Sequence, residues 1–537
     1  MCLINIEMKN KYFYLLIVIF VISFMYLGNM KEGMFVDEIY SYGLSNSYYA
    51  PFVDDIKDLS KGWAIYEKED FQNYMEVQEE TERFSYSSVY YNQTQDVHPP
   101  LFYMILHTVS SFFPFSHSKW IGLGINLFLF IVLIALLYYL CLRLFNRSDL
   151  ALFFCAIYIF STAGLSTALM IRMYALLTFL TVCLAILVYC LMSGNNRWYI
   201  YVGLMLTTWM GLFTQYYFVF YLCFVSMAYF IWAIIKKQSI KNILLYVLFV
   251  ILGGIIMLLS FPSLVSHLFS DKLVSGTNAF SNLFDFSRWM LQAKGYFKEI
   301  VRGFLVATGL FGVLIFSIII LRRRICIDKE LLMKVGVLVV PAICNLVLVI
   351  IISPVVGIRY VYNIFPILLL LLPYMISLLS TVRDISFGKS LMLFLALLNA
   401  IPVFAFKAYE PNCMYVGSTS IRDEISEKYE HCPCLYISKG VHQCMTADLL
   451  ELERFDEVFL SKNGLCQEAK DYLLSFNEKY LILYIGSTRE DWYEPTDSNV
   501  IIQQVLSTGL YENPLPRSTS ISWLRESYLL TKKQQDK

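Results

Sequence analysis

Two adjacent carboxylates, Asp37 and Glu38, stand in the stretch MFVDEIYSYG that begins at Met34, with Tyr40 and Tyr42 close behind. The pair follows the first apolar run of the chain, where a membrane helix would emerge into water. A carboxylate held at that depth can take a proton from a hydroxyl that reacts at the level of the lipid headgroups. By itself a DE pair equally marks the polar end of a span, because charges leave the hydrocarbon. His98 is a second candidate. It precedes Pro99, Pro100 and the apolar LFYMILH, so it would stand ahead of a proline-initiated helix in the same water layer, either at a site or as a solvated surface side chain. The cations of the set are Arg172 and Arg359, each beside an apolar run, with Tyr174 and Tyr360 next to them. An arginine at membrane level is costly unless paired, so a phosphate partner accounts for it; snorkelling to the interface is the other account. The tyrosines serve as hydrogen-bonding neighbours or as interface anchors.

The elements that would hold these residues are membrane helices. Of 537 residues, 58% are hydrophobic and 16% charged, against roughly 25% charged in an ordinary soluble domain. Lys plus Arg and Asp plus Glu are equal at 42 each, so net charge points to neither nucleic acid nor another strongly charged partner. Lys9 and Lys11 precede an apolar run at about 12–28 with no A-x-A-like cleavage site after it, which predicts an uncleaved first span with a cytoplasmic N-terminus. Further spans are expected at about 120–142, 150–169, 174–192, 198–213, 216–235, 243–261, 304–321, 331–352, 360–379 and 390–406.

The run at 101–114 is short for a crossing and suits a re-entrant or tilted segment. If it does not cross, Arg143, Arg147, Arg197, Lys236, Lys237, Lys241, Arg322 to Arg324, Arg383 and Lys389 fall inside. Asp37, Arg172, Gln215, the segment 262–302, Arg359 and the tail then fall outside. That scheme has about eleven spans, with thirteen as the alternative.

Between 48 and 97 the chain is acidic and rich in aromatics, and one or two short helices on the outer membrane surface are expected there. Arg288, Lys294, Lys298 and Arg302 interleave with Trp289, Met290, Tyr296 and Phe297 in a basic amphipathic helix, either on the membrane surface or as a solvated connection. Beyond Lys407 no run is long enough to span. CLYIS, EVFLS and YLILYI read as buried strands, and 446–455 and 465–476 as helices between them, which predicts a small α/β domain with a largely parallel sheet. The expected division is therefore 1–409, with 30–98 as the loop bearing the DE pair, and 410–537.

Thirteen cysteines are scattered along the chain, and Cys413, Cys432, Cys434, Cys444 and Cys466 fall in the tail. With His431 and His442 they form HCPC and HQC, a possible zinc set, although C-x-C and H-x-C are tighter than usual ligand pairs. An extracytoplasmic tail favours a disulfide from Cys432 or Cys434 to Cys444 or Cys466 over zinc, and buried free thiols are the third outcome.

Five stretches in order carry a resemblance: the DE pair, DVHPPLFY from Asp96, RMYALL from Arg172, TQYYF from Thr214 and RYVYNIFPILLLL from Arg359. Together, over 37–371, they resemble the protein O-mannosyltransferase branch of the GT-C superfamily, glycosyltransferase family 39. The resemblance implies a polytopic α-helical membrane protein of GT-C type with about 11–13 spans, carrying a C-terminal extracytoplasmic α/β domain. It implies a polyprenyl-phosphate sugar as donor, Asp37 and Glu38 as catalytic residues, and His98, Arg172, Tyr174, Gln215, Tyr216, Arg359 and Tyr360 as substrate-binding residues. Gln215 stands where relatives often carry His or Lys.

The chemistry also stands without the family. A polyprenyl phosphate is already a good leaving group, so transfer needs a base for the acceptor hydroxyl more than an acid for the donor. Asp37 would be that base, Glu38 a support or metal ligand, and the arginines would hold the phosphate as charge builds on it. No cofactor is assigned, and a divalent metal on Asp37 and Glu38 stays open because no His cluster accompanies them. The acceptor is a lipid, a protein or a cell-wall polymer, in a setting of membrane lipids. No Walker loop or GxGxxG stands out. A flippase or transporter of a lipid-linked saccharide is the competing class and would have no use for a base at Asp37; a scaffold presenting the tail would leave Arg172 and Arg359 unexplained.

Overall fold

The structure is a computed structural model. It describes residues 11–269, 281–382, 388–412, 414, 419–439, 441–486, 497–517 and 525–533. Lys9, Arg383 and Cys413 lie outside the described residues, as do the side chains of Lys389 and His442. The chain divides into two compact units that do not follow its order. One comprises Met1–Gly28, Val97–Phe102 and Leu123–Asn412; the other joins Asn29–Asp96 and Tyr103–Gly122 to Cys413–Lys537. The loop that carries Asp37 thus groups with the tail.

The first unit is helical. Among the described residues seven helices are long and apolar enough to cross a membrane, and nine if two bent pairs are each one span. This makes the chain a multi-pass membrane protein. The helix Tyr174–Met192 is almost wholly buried among its neighbours. Ile240–Ser260 instead exposes Leu244, Leu248, Ile251, Ile255, Leu258 and Leu259, a surface suited to lipid.

Among the described residues fewer helices reach that length and apolarity than the eleven spans expected. The segments read at 198–213 and 390–406 form the helices Trp198–Leu212 and Lys389–Ala405, of 15 and 17 residues, at or below the short end of the roughly 17–25 residues of a crossing. The span read at 150–169 is broken into Ser148–Ile159 and Thr162–Leu169, bent by 65°. Ser161 caps the second piece by accepting from the Gly164 N–H at 3.0 Å. A Cβ on Gly164 would lie 2.1 Å from the Tyr158 carbonyl oxygen, so only glycine permits this corner. The amphipathic helix is present as Phe286–Gly303 and turns by 98° into the apolar Leu305–Leu321. The span at 360–379 opens as a 3₁₀ segment, Ile358–Ile364, before Phe365–Leu368 and Leu371–Leu379. The short helix Leu101–Ser110 has ten residues and is too short to cross.

The second unit is built on a six-stranded sheet of order β1-β3-β2-β4-β6-β5. Its strands are β1 (Trp63–Glu67), β2 (Cys434–Ile437), β3 (Glu457–Ser461), β4 (Tyr480–Gly486), β5 (Tyr511–Arg517) and β6 (Arg525–Lys532). The centre, β3-β2-β4, is parallel, while β1 on β3 and β6 on β4 and β5 are antiparallel. The three expected strands and both helices, Val441–Leu452 and Gln467–Ser475, are present. On one face Leu435, Ile437, Phe459, Leu481, Leu483 and Ile485 pack with Tyr472, Leu473, Ile501 and Val505.

The acidic loop, where one or two short helices are expected, contains Lys68–Met75 and Tyr86–Gln95 and also the edge strand β1. Trp63 stacks on Phe459 with ring centroids 5.4 Å apart. The helix Val36–Asn46 lies against Lys68–Met75 so closely that a Cβ on Gly43 would meet the Tyr74 ring at 2.1 Å.

The disulfide expected from Cys432 or Cys434 is not formed; both are free thiols, as is Cys466. The reason lies in the sheet. Cys434 opens the central strand with Val458 and Ile482 as ladder partners, so no thiol stands beside it in the ladder. Burial pushes the Cys434 thiol well up and that of Cys432 to about 11, which keeps both protonated and unreactive. Among the described residues no group of three His, Cys, Asp or Glu side chains is placed to hold a metal.

Candidate active site

In the first unit the two arginines lie on irregular backbone at helix ends. Arg172, 5% exposed, sits in the turn between Thr162–Leu169 and Tyr174–Met192. Its N–H donates to the Met170 carbonyl at 2.8 Å. Asn126 Nδ2 fastens the same turn, donating to the carbonyls of Ala168 at 3.0 Å and Met170 at 2.7 Å. Arg359 is half-buried at the second position of Ile358–Ile364, its guanidinium 5.4 Å from the Tyr360 ring centre. Side chains three apart eclipse in a 3₁₀ helix, so Arg359 and Tyr362 share an edge. Tyr362 meets Tyr174 edge-on at 5.9 Å. The segments bearing Arg172 and Arg359 are therefore in direct contact.

Tyr360 extends the contact to a third segment, meeting Tyr217 at 5.7 Å. Tyr217 closes the turn between Trp198–Leu212 and Phe218–Ile235 that carries Gln215, 6% exposed, and Tyr216. His98 joins the same turn through the backbone. Pro99 and Pro100 have no N–H, and Leu101, which opens the next helix, donates to the Phe213 carbonyl at 3.0 Å. Thus His98, Arg172, Tyr174, Gln215, Tyr216, Arg359 and Tyr360 all stand on segments linked by direct contacts within one unit.

Two further residues belong to this set and carry no sequence signal. His267, 7% exposed, has its Nδ1 2.9 Å from the Tyr216 hydroxyl; it lies on the five-residue helix Leu264–Leu268, too short for a periodic pattern. Tyr296 donates its hydroxyl to Ser353 Oγ at 3.1 Å and the Gly357 carbonyl at 3.3 Å, which fixes the approach to Arg359. Arg288, on the same helix as Tyr296, donates to the carbonyls of Ser353 and Pro354. Each guanidinium can offer forked donors to an anion of phosphate geometry.

In the second unit Asp37 and Glu38 do not end the first span. That helix, Lys11–Met30, stops before a connector, and the two carboxylates open the next helix, Val36–Asn46. Acidic residues in a first turn suit the positive end of the helix dipole. Glu38 is fully buried; its Oε2 accepts from the Phe35 N–H at 2.6 Å and from Lys31 Nζ at 2.9 Å. Lys31 is 1% exposed, so this is a buried ion pair that also caps the helix. Asp37, next to it, is half-buried.

The same unit holds a second charge cluster that the sequence reading does not find. His117 Nδ1 lies 2.5 Å from Glu76 Oε1 and its Nε2 3.4 Å from Glu453 Oε2. Burial pushes this imidazole down, but hydrogen bonds and charge from Glu453 and Glu76 outweigh it and lift it to about 9. The three residues are far apart in sequence and have no motif in common.

No protein-family model matches the sequence, and no curated protein matches it. Among solved structures the chain is similar to ArnT from Cupriavidus metallidurans bound to undecaprenyl phosphate, with a TM-score of 0.44 and 11% identity. To the same protein in the apo state the TM-score is 0.46 at 12% identity. Each likeness covers 95% of this chain and 97% of that chain.

Proposed function

We propose that the chain is an integral-membrane glycosyltransferase of GT-C type that moves a sugar from a polyprenyl-phosphate carrier to an acceptor hydroxyl on the extracytoplasmic face. The observation that carries this reading is the Tyr174–Tyr362 contact, which joins the segments of Arg172 and Arg359 at the ends of apolar helices. Guanidinium groups present forked donors that match phosphate oxygens, and a lipid-borne phosphate arrives at the depth where these apolar helices end. His98, Gln215 and Tyr216, linked to the same set through Tyr217 and Tyr360, supply further polar groups for the donor.

In the reaction the bond from the sugar C1 to the phosphate oxygen breaks as the acceptor oxygen bonds to C1. The acceptor proton passes to the Asp37 carboxylate, and polyprenyl phosphate leaves with its charge held by Arg172 and Arg359. Glu38, already engaged with Lys31, supports the helix that carries Asp37. A hexosyl or pentosyl group is the cargo, and the order of motifs favours a mannosyl-type donor. The N-terminus is cytoplasmic, and the C-terminal residues from 410 onward lie on the donor side.

The test uses the purified chain in detergent, where there is no membrane to move a lipid across, with a radiolabelled polyprenyl-phosphate sugar and a membrane extract as acceptor. Label passing into an acceptor fraction is expected. Donor that stays intact here but changes leaflet in proteoliposomes would make the chain a flippase instead.

A further inference from the structure

The connector between Lys11–Met30 and Val36–Asn46 gathers more positive charge than it neutralises. Lys119 Nζ donates to the carbonyl of Asn29 at 3.3 Å and to that of Lys31. Arg422 Nη2 donates to the carbonyl of Glu32 at 2.6 Å and to Thr419 Oγ1 at 3.3 Å. Both cations therefore settle on the carbonyls of one short stretch of backbone, 29–32, beside Lys31. Lys31 is neutralised by Glu38. Among the described residues Lys119 and Arg422 form no ion pair, and their hydrogen-bond partners are uncharged; the Glu32 carboxylate accepts from the Thr419 N–H at 3.3 Å instead. Glu453, Asp423 and Glu451 lie in the wider surroundings of Arg422.

Two more features add to the same field. Lys119 is the first residue of Lys119–Phe145, which has no acidic residue in its first turn, whereas the N-terminus of Thr419–Lys428, with Arg422 as its fourth residue, is met by the Glu32 carboxylate. A cation at the positive end of a helix is unfavourable by itself, and the combination is an arrangement for an anion. Arg422 Nε is also enclosed without an acceptor. Both side chains are only partly buried, so the cluster is open to a ligand.

We propose that Lys119 and Arg422 form an anion subsite on the connector that leads into Asp37, and that the sugar acceptor carries a phosphate group which binds there. The inference rests on Asp37 being the base, since the same connector would then present the acceptor hydroxyl and hold its anionic neighbour. A phosphate offers oxygens to a guanidinium fork and an ammonium together, as a neutral acceptor does not.

The test first leaves activity aside. The full-length protein in phosphatidylcholine nanodiscs is treated with a limiting amine-acetylating reagent, and Lys119 modification is read by mass spectrometry. Inorganic phosphate is expected to slow modification about fivefold relative to acetate at equal ionic strength, and Arg422→Gln to remove that protection. Absence of protection, equal protection by acetate, or protection that survives Arg422→Gln overturns the subsite. Protection by phosphatidylglycerol in the disc, with none from phosphate, assigns the cluster to a lipid headgroup and overturns the acceptor reading.

In the transfer assay inorganic phosphate should inhibit the parent, with excess donor giving no relief, and should not inhibit Lys119→Gln. Relief by donor would move phosphate to the donor site and overturn the proposal. Asp37→Asn should keep the protection; if that variant also transfers sugar normally, the assignment of Asp37 fails while the anion subsite stands.

Discussion

Asp37 and Glu38 are adjacent in sequence, yet their surroundings give them different tasks. Glu38 is sealed against Lys31 and the Phe35 N–H, whereas Asp37 is half-buried in the same turn. Glu38→Gln should therefore act on stability, costing about 3–5 kcal/mol because Lys31 is left charged and buried. Asp37→Asn should leave the melting temperature near that of the parent and abolish transfer of radiolabelled sugar. Near-normal turnover of Asp37→Asn, or an unchanged melting temperature for Glu38→Gln, would reverse these roles. For the donor, Arg172→Ala and Arg359→Ala should each weaken binding by about 2–5 kcal/mol, and Arg→Lys by less, because the charge is kept and the fork is lost. Donor affinity equal to the parent in both Ala variants would reduce these arginines to snorkelling. That the seven residues expected as donor ligands fall on joined segments of one unit follows from order and type, since each stands beside an apolar run that ends. His267 and Tyr296 were not legible, because a partner across space leaves no trace in local spacing.

Elements were legible where burial is uniform. CLYIS, EVFLS and YLILYI give β2, β3 and β4 because a central parallel strand is apolar on both faces. The other three strands escape that pattern. Pro514 and Pro516 place β5 at an edge, where missing donors do no harm. β1 has Trp63 and Ile65 alternating with Ala64 and Tyr66 inside an acidic loop, and its partner β3 is remote in sequence. Three such separate pieces of chain meet at His117, between Glu76 and Glu453. Its folded pKa is raised from 6.5 to about 9, so its stabilising contribution is complete below the unfolded value and is lost as pH rises through the folded one. Melting of this unit should therefore fall between about pH 7 and pH 10, and Glu453→Gln should flatten that slope. A parent profile as flat as that of the variant would remove the clamp.

At the scale of the whole molecule, the proposed orientation rests on the basic residues. Arg322 to Arg324 follow the apolar helix Leu305–Leu321, and by the positive-inside bias we propose that they face the cytoplasm. A cysteine at position 323, in a background cleared of native thiols, should resist a membrane-impermeant reagent added from outside, and one at position 294 should react. Labelling at 323 would invert the orientation. Counting apolar runs finds the helices but not every break within them, because hydropathy does not see the corner at Gly164 inside the run read at 150–169.

Glu67 in β1 pairs with Glu457 in β3, nearly four hundred residues further along the chain. A ribosome adding about 5–20 residues per second takes on the order of 20–80 s to cover that distance. For all of that time the loop that carries β1 has no sheet to join, and its Trp63 has no Phe459 to cover it. Completion of this unit is thus tied to the last stages of synthesis, and a chain cut short between Ala405 and Glu457 would carry every apolar helix among the described residues and still expose an unmatched strand to the cell's proteases.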